Sequence, residues 1–202
     1  MKNPLRLMSC LLLVALVVSG LWVAKAVNFS TQEDVIEATP ATLAAGLSLQ
    51  DMSVQSELIL TGTCLDTRSQ WIDRSLVTLA TVSITETIKG AELSTVTVVL
   101  PGGVDANGRI PVAMTYPGAP QIAPGEDVFL FLTREEGIAD GYTVAGFAQG
   151  KYSIVKDQQG AQLVSRDLTK MNLQSGTGIV RGNRNLVPLS EFKAKVRGHL
   201  GQ

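Results

Sequence analysis

Histidine, cysteine and aromatic residues are scarce in this 202-residue chain: one His, two Cys, and only 5% Phe, Trp and Tyr together. A zinc site draws most of its ligands from His and Cys, so their shortage excludes one. It also excludes a His-based nucleophile unless His199 serves, and His199 falls in a C-terminal helical pattern away from any triad. A disulfide framework is excluded for the same reason. Charge of one sign is also lacking, with 17 Lys and Arg against 18 Asp and Glu. That balance excludes a polybasic nucleic-acid binder. The chain has no phosphate loop, no G-x-S-x-G elbow and no dinucleotide fingerprint. Asp105-Ala106-Asn107-Gly108 resembles the start of a calcium loop, but Tyr116 stands where the bidentate Glu belongs, so it reads as a turn. No metal or cofactor is expected.

What is present begins with an export signal. Lys2 and Arg6 precede an uncharged run from Leu7 to Ala24, and Ala24-Lys25-Ala26 forms an A-x-A cleavage site. Residues 1–26 read as a signal peptide, placing the processed protein in the periplasm or outside the cell. The alternative is an uncleaved anchor, since 18 apolar residues lie near the lower limit for spanning a bilayer. Residues 27–47 read as a mobile leader and 48–202 as one domain. After cleavage only Cys64 remains, in an apolar strand pattern, and it reads as a buried, inert thiol.

The body reads as β. Ser48 with Asp51 forms a capping-box variant that opens a short helix to Gln55. Alternating or β-branched runs follow at 58–65, 76–88, 95–100, 110–116, 128–133, 142–147, 151–155 and 162–165. A bend or bulge is expected near Val77–Leu79. Five prolines between 101 and 124 exclude a helix there. Residues 172–185, rich in Gly, Asn, Ser and Arg, read as a loop. Leu189, Phe192, Val196 and Leu200 fall near helical spacing. The expected fold is mainly β: a small OB-like β-barrel of about eight strands with a short N-terminal helix and a C-terminal helix.

Several segments are candidates for a binding surface. Arg68 and Trp71 sit in an expected polar loop, 66–74, and pair a cation with the one Trp left after cleavage. Trp71 folded inward as a lid is the competing expectation. Gly102 and Gly103 permit close backbone approach, to a ligand or within a tight turn. Gln149 and Lys151 mark a polar corner between strands, where Gly150 is expected to need a positive φ or a bulge. Arg181 and Arg184 belong to a basic tail: residues 178–202 carry a net +4, whereas 27–177 carry −8. That tail either docks the terminal helix on an acidic body or meets an anionic surface. The acidic pairs Glu126-Asp127 and Glu135-Glu136 read as solvated guards at strand ends rather than as a hydrolytic dyad.

The run Glu57-Leu-Ile-Leu-Thr-Gly-Thr-Cys64, a long strand ending Ile88-Lys89-Gly90, and Thr95-Val-Thr-Val-Val-Leu100 resemble the front half of a netrin-like or tissue-inhibitor-of-metalloproteinase-like OB barrel. Residues 125–132 and 146–151 extend the resemblance to exported bacterial proteins of unassigned function. The resemblance implies the fold and no functional residue. Inhibitors of that family chelate zinc through an N-terminal cysteine, whereas Val27 would head this processed chain. The expected function is a non-catalytic binding or accessory module with a protein or envelope component as partner. Nucleic acid is not expected, and a membrane only through an uncleaved N-terminus. The alternatives are a structural envelope protein anchored by that segment, or a hydrolase using paired carboxylates.

Overall fold

A computed structural model describes residues 41–202, except 137, 139, 140 and 177. The expected signal peptide and most of the expected leader lie outside the described residues. The last part of that leader, however, is a strand: β1, Thr42–Ala45, is followed by helix α1, Leu49–Gln55. Ser48 caps α1 in a full capping box. Its hydroxyl accepts from the Asp51 N–H at 3.0 Å, and the Asp51 carboxylate accepts from the Ser48 N–H.

Five strands close a ring. β2 (Leu58–Ile72), β3 (Ser75–Lys89) and β4 (Thr95–Pro101) form an antiparallel meander. β7 (Asp127–Arg134) returns beside β2, and β8 (Gly141–Val144) joins antiparallel to β7 and parallel to β4. Alternation along these strands sends Leu58, Leu60, Val82, Val98, Leu130, Leu132 and Val144 into one buried cluster fed by all five. Cys64 lies in that cluster as a free, buried thiol, and burial pushes its pKa up, which keeps it protonated and inert.

β2 and β3 are 15 residues each and project beyond the rest. The irregularities in their pairing leave Ile88 and Thr85 of β3 and Leu65 of β2 without a partner, and none falls at Val77–Leu79. A Cβ on Gly62 would lie 2.3 Å from the Ser83 carbonyl oxygen, so only glycine permits that approach. Between β4 and β7 the chain makes a small hairpin, β5 (Gly103–Asp105) and β6 (Val112–Met114), then the proline-rich loop.

β7 is buried on both faces, with Val128, Leu130 and Leu132 in the ring's cluster and Phe129 and Phe131 in a second one, and its edge forks. Its end pairs with β8, its start with β9 (Lys151–Lys156). Ala145–Gly150 loops out between them, opposite Phe131. Gly150 itself has no positive φ; the left-handed residues are Gly146 (62°) and Phe147 (68°). Gly150 is required because a Cβ there would meet the Phe131 oxygen at 2.9 Å. From β9 the sheet continues to β10 (Gln162–Asp167) and β13 (Arg184–Pro188). Helix α2, Leu189–His199, packs Leu189, Phe192 and Val196 onto this extension, where Phe192 meets Phe129 and Tyr152 at ring-centroid distances of 4.9 and 4.6 Å.

The expected loop 172–185 instead holds strands. β11 (Met171–Ser175) and β12 (Gly178–Arg181) form a hairpin, and β1 adds parallel to β11. The described residues thus hold thirteen strands rather than about eight. The fold is mainly β, and no described helix is long and apolar enough to cross a membrane.

Candidate functional site

The expected loop 66–74 is the end of β2, and its turn is only Asp73-Arg74. In a strand, residues three apart face opposite ways, and no irregularity intervenes after Asp66. Arg68 and Trp71 therefore do not share a patch. Nor does Trp71 fold inward as a lid: it is 44% exposed and its indole N–H donates to Asp105 Oδ2 at 2.8 Å. That bond, with those from the Asn107 and Gly108 N–H groups, holds the Asp105 carboxyl below its ordinary pKa and stiffens the β5–β6 hairpin.

Gly102 and Gly103 serve the chain's own packing. Gly102 has φ 88°, and a Cβ would meet the Met114 oxygen at 2.5 Å. A Cβ on Gly103 would strike the Ser69 hydroxyl at 2.7 Å. Gln149, expected on a surface, is 1% exposed. Its Oε1 accepts from the Leu47 N–H at 2.8 Å, and its Nε2 donates to the carbonyls of Ala45 (2.7 Å) and Gly146 (3.0 Å). It clamps the N-terminal strand onto the body. Arg184 pairs with Asp167, and Arg181 donates from Nε to the Thr169 carbonyl at 3.4 Å. Lys193 and Arg197 on α2 both pair with Glu86. This is the arrangement in which a basic tail docks on an acidic body.

Two clefts flank the proline-rich loop, and Tyr116 and Pro120 line both. One, of about 610 Å³, lies at the tip of the β2–β3 hairpin and is largely apolar, with Ile72, Leu76, Val77 and Val99 in its wall. Asp73, exposed, and Glu135, half-buried, add carboxylates to it. The other, of about 730 Å³, is the more polar of the two. Its floor is built by the β9–β10 hairpin, whose register sets Ser153 directly opposite Ser165. Two positions further along each strand, period two brings Lys151 and Asp167 to the same face.

Lys151 is the candidate that the fold places in a site, and its partners are the residues that sequence reasoning missed. Its Nζ lies 2.5 Å from Glu126 Oε1 and 2.8 Å from Ser153 Oγ, and Ser153 Oγ donates to the same Glu126 oxygen at 2.6 Å. Glu126 is therefore no solvated guard; its side chain is only 21% exposed. Burial alone would raise its pKa, but hydrogen bonds from Lys151, Ser153 and the Ala123 N–H outweigh that and hold it low. Its sequence neighbour Asp127 accepts from Thr63 instead. The two carboxylates of this pair have separate partners and share no reacting position.

The Ser153 hydroxyl donates to a Glu126 carboxylate made weakly basic, which is not poised to take its proton at neutral pH. No group of three His, Cys, Asp or Glu that could hold a metal occurs among the described residues. No protein-family model, curated protein or solved structure matches the chain.

Proposed function

We propose that the protein is an exported, non-catalytic binding module built on an OB-type barrel, with the apolar cleft at the β2–β3 tip as its docking site for a protein partner of the cell envelope. The barrel reading rests on the order of the ring. Numbered along the chain, the five strands run first, second, third, fifth, fourth and back to the first, with the third and fifth parallel. That is the Greek-key order of an OB fold, whose binding surfaces include the first-to-second and fourth-to-fifth loops. It agrees with the netrin-like resemblance of the front half, without the N-terminal cysteine of the metalloproteinase inhibitors. Export rests on the charged start, the apolar run and Ala24-Lys25-Ala26.

The observation that carries the binding reading is the composition of the cleft. It is apolar in its walls and acidic at its mouth, and it has no nucleophile facing a base. The partner it suits presents an apolar side chain flanked by Lys or Arg. A photo-crosslinking residue at position 72, in native envelope, should yield a discrete adduct that the same residue at position 180, on β12, does not. No adduct from a folded, processed protein, or an identical pattern from both positions, sinks the assignment.

A further inference from the structure

The more polar cleft is unevenly satisfied: Asp167 in its lining and Glu126 beside it are more fully engaged than its donors. Asp167 accepts at Oδ1 from the Thr169 N–H (3.0 Å) and hydroxyl (2.7 Å), and at Oδ2 from Arg184 Nε (3.0 Å) and Nη2. A carboxylate offers about four acceptor positions, so Asp167 has none left. Those bonds, from Thr169 first and Arg184 second, also hold its pKa far below the ordinary value, so it does not become a donor at neutral pH. Glu126 is likewise occupied at Oε1 by Lys151 and Ser153 and at Oε2 by the Ala123 N–H at 2.9 Å.

The donors tell the opposite story. An ammonium carries three N–H groups, and Lys151 uses two of them, on Glu126 and Ser153. Its side chain is 16% exposed, so the third must be satisfied within the cleft it lines. Lys170 at the rim has no ion pair, and the hydroxyls of Ser165 and Tyr116 have no hydrogen bond, among the described residues. With Lys151 neutralised by Glu126 and Asp167 by Arg184, Lys170 leaves the cleft one net positive charge. Beside these donors, Tyr116, Pro117 and Pro120 form an apolar wall.

We propose that this cleft binds an oxyanion, a carboxylate or a phosphate-type group, whose oxygens accept from Lys151, Ser165 and Lys170 while the rest of the ligand lies against the Tyr116–Pro120 wall. The volume suits a small organic acid or phosphate ester. This site is separate from the apolar cleft and stands without it.

The test is a titration of the isotope-labelled, processed protein with inorganic phosphate and with acetate, followed by NMR at the amides of 151, 165 and 170, with glycerol as the uncharged probe. The anions should give saturable shifts confined to that cleft, and glycerol none. Lys170→Gln should weaken the anion affinity about fivefold, near the upper end for one exposed ion pair. Arg68→Gln, on the long hairpin, should leave it unchanged. Ser165→Ala keeps the charge and should weaken binding less than Lys170→Gln. Sedimentation with phosphatidylglycerol vesicles separates two sources of the same chemistry. Co-sedimentation lost in Lys170→Gln assigns the site to a lipid headgroup, and saturable phosphate binding without it assigns the site to a free anion. Shifts that never saturate, that persist unchanged in Lys170→Gln, or that glycerol reproduces overturn the proposal.

Discussion

Lys151 shows how much one side chain decides here. It joins Glu126, Ser153 and the cleft in one cluster, with both charged groups more than three-quarters buried. Removing one partner of such a pair leaves the other as an uncompensated charge, which costs more than the pair itself contributes. Lys151→Met should therefore destabilise the fold by about 3 kcal/mol in urea denaturation. Adding Glu126→Gln should recover most of that loss; a double variant no more stable than the single one would show that packing, not charge, is the cause. The sequence marked Lys151 but not its partner, because Glu126 sits 25 residues earlier on another strand end, and its adjacency to Asp127 suggested a solvent-facing pair. The floor of the cleft was closer to legible. The turn closed by the Asp157 N–H on the Ala161 carbonyl fixes the β9–β10 register, and residues equidistant from that pair, such as Ser153 and Ser165, must face each other.

At the scale of elements, α2 is held by two unlike forces. Phe192 is 5% exposed inside an aromatic cluster, so Phe192→Ala should cost about 3–5 kcal/mol. A chemical-denaturation midpoint that hardly moves would contradict that packing. The second force is electrostatic. The Lys193 hydrogen bond, with Arg197 adding to it, holds Glu86 below its ordinary value of 4.5. A carboxyl depressed in the folded state adds stability above its unfolded pKa and loses it as pH falls through the folded one. Stability should thus drop on acidification below about pH 4.5, and Glu86→Gln should flatten that part of the profile.

Ring strands with one buried face were readable because that burial imprints alternation on the sequence, and β7, buried on both faces, because it is a short continuous apolar run. β12 was not, since all four of its residues are exposed and no pattern separates its faces. β1 was lost for a related reason. Its hold on the body comes from backbone pairing with β11 and from Gln149, more than a hundred residues away.

For the whole molecule, the cleavage proposal predicts a processed protein that begins at Val27. Replacing Ala26 with a bulky residue should leave a precursor retained at the membrane, visible as a larger band in the membrane fraction. An unaltered protein still starting at Met1 would refute it. The pairing of β1 with β11 adds a matter of timing. Thr42 must wait for Met171, its partner in register, and α2 follows later still. At about 5–20 residues per second, the ribosome delivers that partner some 6–26 s after the strand it completes. During that interval the ring can begin to form while β1 has no partner strand and α2 has not yet been made. A chain threaded across a membrane in an unfolded state gains from that delay, because its earliest-made segment finds its place only after nearly all of the polypeptide has been made.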